Sequence, residues 1–314
     1  MITAPVNHII PQSCVDGPGN RSVVFFQGCN FNCRYCHNPE TIHQCQNCGL
    51  CVAGCPTGAL STENGLVSWQ EELCVGCDSC LRACPHGSSP RVSMLSTDQV
   101  MARVAENMPF IRGITVSGGE CSLYHAFVAE LFTKARALGL GTLMDSNGSY
   151  DFSADPQLLA LCDGVMLDGK AFDPQAHLAL TDASNQMVLQ NAVFLARQNK
   201  LQELRTVVAL GLPNEETVVG FARLLAPHLT RGDVLYKLIR YRASGVRTCY
   251  SAQLATPPMA EMERLRGLRL FKHQHCIRKK PLLPKALAFG GSGFFMGWER
   301  SACETAGGSD RWRF

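Results

Sequence analysis

The chain's 314 residues, 18% charged and 46% hydrophobic, suffice for a sizeable core and fit one large domain carrying an insertion. Its formal charge of +3 counts every cysteine as a neutral thiol, so it offers no argument for a nucleic-acid partner. The opening residues MITAPVNHII lack the basic start and long apolar run of a signal peptide, and the best apolar stretch, 283–298, is short for a membrane span and broken by glycines. Seventeen cysteines are the unusual count. They cluster in three-residue steps, as metal ligands do and disulfide partners rarely do, so a reducing cytoplasm is expected, with no membrane and no nucleic acid.

In chain order, SVVFFQG (22–28) is a short β-rich run ending in glycine, and Cys29, Cys33 and Cys36 follow it at once. Residues 45–90 change in texture: they are rich in Cys, Gly and Pro and lack long apolar periodicity. That composition predicts an inserted module held by its metal rather than by a core. Beyond residue 95, strands are expected at 113–117, 141–146, 164–168, 204–210 and 234–240, with helices at 97–107, 123–138, 186–199 and 216–228. Asp98 or Thr97 is the candidate cap of the first helix, and Gly139 the end of the second. The alternation implies βαβ units on a parallel sheet. With 22–28 there are about six units, so the expected class is α/β: an open, partial (β/α)6 TIM-like barrel with its sites at the C-terminal ends of the strands. The domains expected are 1–44, the start of the barrel; 45–90, the insertion; 91–256, the rest of the barrel; and 257–314. The last begins as a helix and becomes a basic, Gly-rich tail with no clear strand and no assigned function.

Cys29, Cys33 and Cys36 are spaced C-x3-C-x2-C in a loop straight after a strand. Three thiolates there can hold three irons of a 4Fe–4S cluster and leave the fourth open to a ligand. On spacing alone, a zinc knuckle completed by His37 is the alternative. Ser117, Gly118, Gly119 and Glu120 end the strand at 113–117. The glycines let backbone approach a ligand closely and the glutamate can accept from an ammonium group, though the same residues also suit an ordinary strand-to-helix turn. Asp145 and Asp168 each close a predicted strand, where barrel chemistry gathers, and as helix caps they would sit in the same places.

Cys45, Cys48, Cys51 and Cys55 form one ladder, and Cys74, Cys77, Cys80 and Cys84 form another, each C-x2-C-x2-C-x3-C-P. In this bacterial ferredoxin spacing the fourth cysteine serves the other cluster. One cluster would then use Cys45, Cys48, Cys51 and Cys84, and the other Cys74, Cys77, Cys80 and Cys55. Zinc typically wants two CxxC pairs with a longer gap. Eleven thiolates around three 4Fe–4S cores of about +2 each would carry the net charge to about −2.

Cys29-x3-Cys33-x-Tyr35-Cys36 followed by Gly-Gly-Glu resembles the radical S-adenosylmethionine (SAM) superfamily. SCVDGPGNRSVVFFQGCNFNCRYCHNP (13–39) is similar to the signature of its glycyl-radical-enzyme activating enzymes, and the doubled ladder lies nearest the YjjW-type members. The resemblance implies the radical SAM barrel with a ferredoxin-like insertion, three 4Fe–4S clusters and SAM. It also implies hydrogen abstraction from a glycine Cα of a partner glycyl-radical enzyme, with flavodoxin or ferredoxin as electron donor. It further implies that Ser117, Gly118, Gly119 and Glu120 bind the methionine moiety, with Tyr35 and Asn38 near SAM. Asp145, Ser146, Met166 and Asp168 would hold a monovalent cation, and Lys170 and Arg205 would contact charged groups of SAM. The chain departs from the pattern at Gly169, where relatives carry LDLK, at Arg242, where they carry histidine, and at Leu210-Gly211, where they carry Pro-Gly. Two other readings compete: a radical SAM enzyme acting on a small molecule, and a non-catalytic iron–sulfur electron carrier. A carrier would have no use for the SGGE loop.

Overall fold

In the computed structural model, residues 2–229 and 234–268 are described, together with the backbone of 309–313. Six strands run parallel and in neighbouring register: β2 (Arg21–Phe26), β6 (Gly113–Gly118), β7 (Gly141–Ser146), β8 (Gly164–Asp168), β9 (Leu201–Val208) and β10 (Leu235–Arg240). Beyond β2 the sheet continues antiparallel through β1 (Thr3–Ser13) and β5 (Ser93–Ser96). This is the partial (β/α)6 arrangement expected from the strand–helix alternation. β2, β6 and β8 are near-continuous apolar runs because helices and barrel interior cover both faces.

Helices α2 (Thr97–Ala105), α3 (His125–Ala137), α4 (Pro156–Leu161), α5 (Pro174–Thr181), α6 (Gln186–Arg197), α7 (Asn214–Leu225) and α9 (Met259–Gly267) pack outside the strands, and α8 (Thr248–Ser251) is a single turn after β10. The cap of α2 is Ser96, not Thr97 or Asp98: its hydroxyl accepts from Gln99 N–H while the Gln99 side chain accepts from Ser96 N–H. That reciprocal box satisfies two donors at once, which a lone Asp98 could not. Gly139 does sit just past the end of α3, in the left-handed region at φ +74°. Arg21 is buried at the N-terminal end of the sheet, where it donates to Thr115 Oγ1 at 2.9 Å, Ile114 O at 2.8 Å and Gly141 O at 2.9 Å. It ties β2, β6 and β7 together at the end away from the site.

The segment 45–90 holds a separate two-stranded sheet, β3 (Leu60–Glu63) with β4 (Leu66–Trp69), and the short helix α1 (Ser79–Ala83). Its own core is small: Cys51, Leu60 and Cys80, with Val52, Cys55, Val67, Trp69 and Leu81 packed partly buried around them. Of the final domain, α9 is described and most of the tail lies outside the described residues. The expectation of no strand there is corrected at one place: β11 (Ser309–Arg313) pairs antiparallel with β10, whose edge would otherwise present unpaired backbone groups. Among the described residues no helix is long and apolar enough to cross a membrane.

Candidate active site

The C-terminal ends of β2 and β6–β10 surround a cavity of about 380 Å³. Cys29, Cys33, Tyr35, Cys36 and Asn38 of the loop after β2 line it. Facing them are Ser117, Gly118, Gly119 and Glu120 of β6, Asp145 and Ser146 of β7, Asp168 and Lys170 after β8, and Arg205 of β9. Of the residues expected there, Met166 alone stays in the core, where its sulfur accepts from Arg205 Nη2 at 2.8 Å.

The cysteine loop and the SGGE loop form one wall. Gly119 N–H donates to Phe26 O at 2.9 Å, and Glu120 N–H donates to Gly28 O at 2.8 Å. A Cβ on Gly118 would collide with the Phe26 backbone and one on Gly119 with the Gly28 carbonyl, so both glycines are needed for backbone to approach backbone. From the other side, Gly28 N–H donates to Thr41 O at 2.7 Å and Cys29 N–H to Ile42 O at 2.9 Å.

Glu120 is fully buried and accepts from Ser146 Oγ at 2.8 Å, Asn147 N–H at 2.7 Å and Ser122 N–H at 3.0 Å. Burial pushes its carboxyl up from the usual range while these donors oppose the shift. Three donors leave about one of a carboxylate's four acceptor positions for a ligand. Glu120 therefore latches β6 to β7 as well as facing the cavity. Asn147, which sequence reasoning missed, donates to Asn30 Oδ1 at 2.9 Å and approaches Cys29 Sγ at 3.8 Å. Its place directly after Ser146, at the end of a barrel strand, was the available signal. Asp16, from the quoted 13–39 segment, also lines the cavity.

The opposite wall is charged. Arg205 Nη1 pairs with Asp145 Oδ1 at 2.9 Å and its Nε with Glu203 Oε2 at 2.9 Å, while Ser117 Oγ donates to Asp145 Oδ2 at 3.1 Å. Burial, with Asp168 and Asp16 nearby, pushes Asp145 up to about 6 against the pull of the Arg205 guanidinium. Lys170 pairs with Asp168 at 2.9 Å and lies over the Tyr35 ring, 5.8 Å from its centre. The ammonium is thus held between carboxylate and aromatic face, next to the thiols.

The thiol trio suits an iron–sulfur cluster in donor chemistry. Soft sulfur ligands select such clusters, and Phe31 N–H donates to Cys29 Sγ at 3.4 Å, the kind of contact that tunes a cluster. Burial pushes Cys29 up to about 12 and Cys33 up to about 11, so without a metal these thiols keep their protons. Among the described residues no three Cys, His, Asp or Glu side chains gather closely enough to hold a single metal ion. The three thiols instead ring a cavity, and a cluster takes its thiolates at separate irons.

A parallel partial barrel with a thiol-bearing loop and a glycine-rich loop fused at its rim defines the radical SAM class. A family model for a "4Fe-4S single cluster domain" matches residues 15–189. A Haemophilus influenzae protein named for glycyl-radical enzyme activation is 31% identical over 268 residues, covering 78% of this chain and 85% of that one. The (2S)-3-sulfopropanediol sulfolyase activating enzyme of Bilophila wadsworthia is 30% identical over 251 residues, covering 73% of this chain and 82% of its own. Among solved structures, Streptococcus suis SuiB bound to precursor peptide SuiA shares the fold, with a TM-score of 0.50 at 11% identity over 76% of this chain and 42% of that one. The chain belongs to the glycyl-radical enzyme activating enzymes, and a 4Fe–4S cluster and SAM are the cofactors of that family.

Proposed function

We propose that this enzyme installs a glycyl radical on a partner enzyme, with Cys29, Cys33 and Cys36 holding the cluster that binds SAM. The observation that carries the reading is the fusion of the cysteine loop and SGGE loop into one cavity wall through Gly119 N–H to Phe26 O and Glu120 N–H to Gly28 O. When bound, the cluster would supply the electron for reductive cleavage of SAM, the chemistry by which a hydrogen atom would be taken from a glycine Cα of the partner. The chain's own part is to bind and orient. Ser117, Gly118, Gly119 and Glu120 receive the methionine amine and carboxylate, with Tyr35 and Asn38 beside them. Lys170 and Arg205 balance the nucleoside's charged groups. Asp145, Ser146 and Asp168, which line the cavity, would hold a monovalent cation, while Met166, expected beside them, lies in the core.

The insertion we read as a ferredoxin-like module with two further 4Fe–4S clusters. Two observations support it. One cavity in the segment gathers Cys55, Cys74, Cys77 and Cys80, the crosswise set expected from the ladder. Burial, then the charges of Cys45, Cys80 and Cys84, raises the Cys51 thiol, so all three lie near enough to Cys51 to act on it, Cys45 and Cys84 of its expected set among them. Cys48 and Cys77 are exposed, which would give a reduced flavodoxin or ferredoxin access to the module.

The test is anaerobic incubation of the reconstituted protein with SAM and dithionite. Formation of 5′-deoxyadenosine is expected, and its absence would favour the electron-carrier reading. Adding the glycyl-radical enzyme encoded next to this chain's gene should then give a glycyl signal in electron paramagnetic resonance (EPR), which a small-molecule enzyme would not produce.

A further inference from the structure

Arg247 is far from the cysteine loop in sequence and grips it in space. Its Nη1 donates to Asn32 Oδ1 at 2.6 Å, and its Nη2 donates to the carbonyls of Asn32 at 3.2 Å and Cys33 at 2.9 Å. The guanidinium lies over the Tyr250 ring, 4.7 Å from its centre, and Arg34 of the loop approaches the same ring at 5.7 Å. Arg247 Nε is buried without a hydrogen-bond partner, so the terminal nitrogens and the stacked ring hold the group in place. The same segment meets the loop twice more. Arg242 O contacts His37 Nε2 at 2.8 Å, and Gly245, at φ +83°, lies where a Cβ would press on the His37 carbonyl. On the loop's other side, Asn32 N–H donates to Thr181 O and Arg34 N–H to Leu180 O, both at 2.9 Å.

A carbonyl that accepts from a fixed guanidinium cannot turn, so the peptide carrying Cys33 is locked between α5 and the segment after β10. Arginine also brings a permanent charge to the loop, and its planar fork binds two acceptors where lysine would bind as a point charge. Positive charge and hydrogen bonding next to an iron–sulfur cluster favour its reduced form. We propose that Arg247 is a positioning residue for the catalytic cluster: it clamps the Asn32–Cys33 backbone and raises the potential at which the cluster accepts its electron. The inference rests on the cluster reading of Cys29, Cys33 and Cys36.

The test compares anaerobically reconstituted full-length protein with its Arg247→Gln and Arg247→Lys variants in EPR-monitored redox titrations. The signal that changes on adding SAM reports the catalytic cluster. For Arg247→Gln, the ratio of reduced to oxidised cluster at fixed poise should fall about tenfold, about 59 mV for a one-electron couple, with the other cluster signals unmoved. Arg247→Lys keeps the charge and loses the fork, so it should recover part of the potential. An unchanged midpoint and line shape in fully loaded Arg247→Gln would overturn the proposal. Should that variant fail to fold, Tyr250→Leu decides: it removes the stacked ring alone and should shift the ratio the same way by about twofold, and an unmoved ratio overturns the proposal. A wild-type protein with no SAM-sensitive signal would defeat the cluster reading itself; a normal wild type matched by its variants would defeat only the role of Arg247.

Discussion

The two thiol-bearing regions of this molecule are built on opposite terms. Cys29, Cys33 and Cys36 sit in a loop that borrows its shape from the barrel: backbone bonds fix it to Thr41, Ile42, Leu180 and Thr181, and the main core includes Phe26, Phe31 and Tyr35. The eight cysteines of 45–90 have almost no core to borrow. Cys51 and Cys80 are two of the three buried residues of its small apolar cluster, while Leu50, Leu66, Leu73 and Val75 remain exposed. In the barrel the fold comes first and presents thiols to a metal. On the proposed reading the insertion's ligands are a large part of its packing, so its folding and metal binding would become one transition.

Removing single ligands breaks this comparison most sharply. Cys33→Ala should abolish 5′-deoxyadenosine formation while roughly two-thirds of the iron remains, because the two clusters proposed for the insertion would keep all their thiolates. The barrel should melt close to wild type, since its core contributes far more than one thiol. Cys80→Ala should remove iron from the insertion and its protection together. Iron analysis with circular dichroism checks both, and a barrel that unfolds in Cys33→Ala would show that the catalytic loop depends on its metal after all.

Chelation tests the same contrast without mutation. After anaerobic removal of iron, amides in 45–90 should exchange with deuterium at least about a hundredfold faster, while β6–β9 keep their protection, because local stability follows buried contact density. Equal loss of protection in both regions would mean one cooperative unit.

A smaller effect is expected at Glu120. It accepts three hydrogen bonds from nitrogen and oxygen donors and a weak fourth from Cys121 Sγ at 3.9 Å, and Glu120→Gln would turn an amide toward donors. A buried donor left unpaired costs about 1–3 kcal/mol, so denaturant melts should show the barrel weakened by about that much and the insertion untouched. The carboxyl is raised by burial above the ordinary glutamate range. A raised acid holds its proton more tightly in the folded state, so its contribution to stability is greatest at low pH and is lost as pH rises through the folded value. The variant should flatten that slope above about pH 4.5.

Much of the barrel was legible in the sequence, and the reasons for the misses are physical. β6, β7 and β8 begin where a glycine precedes an apolar run, and their ends carry the polar residues Ser117, Asp145 and Asp168. β9 starts at Leu201, three residues before the expected 204, because Leu201 pairs with Val165 across a register shift that no local pattern encodes. β1 went unread because Pro5 and Pro11 argue against a strand. It forms at the outer side of the parallel core, held by β2 on one flank and β5 on the other. α5 was missed although Asp173 and Pro174 are a ready cap and first residue. The cysteine ladders were plain because their chemistry is carried by spacing alone. The Arg247 grip was not, since its partners lie 214 and 215 residues away.

The last prediction sets the two regions against each other in one reaction. Metal binds the thiolate, not the thiol, so a cluster assembles no faster than its ligands lose protons. Burial, and for Cys29 the Glu120 carboxylate as well, holds Cys29 and Cys33 up to about 12 and about 11. In the insertion the direction reverses at three ligands: the Thr57 N–H lowers Cys55, the Ser79 hydroxyl lowers Cys77, and against its burial the Ser88 hydroxyl and N–H lower Cys84. Between pH 7 and 8 the thiolate fraction of the buried pair grows about tenfold per unit. The catalytic cluster should therefore load about tenfold faster at pH 8, while the clusters proposed for the insertion should gain less because part of their ligand set gives up its protons more readily. Reconstitution followed by Mössbauer or EPR spectra at the two pH values separates the signals. Parallel slopes would mean that the barrel opens before iron enters, leaving the catalytic thiols as accessible during assembly as those of the insertion.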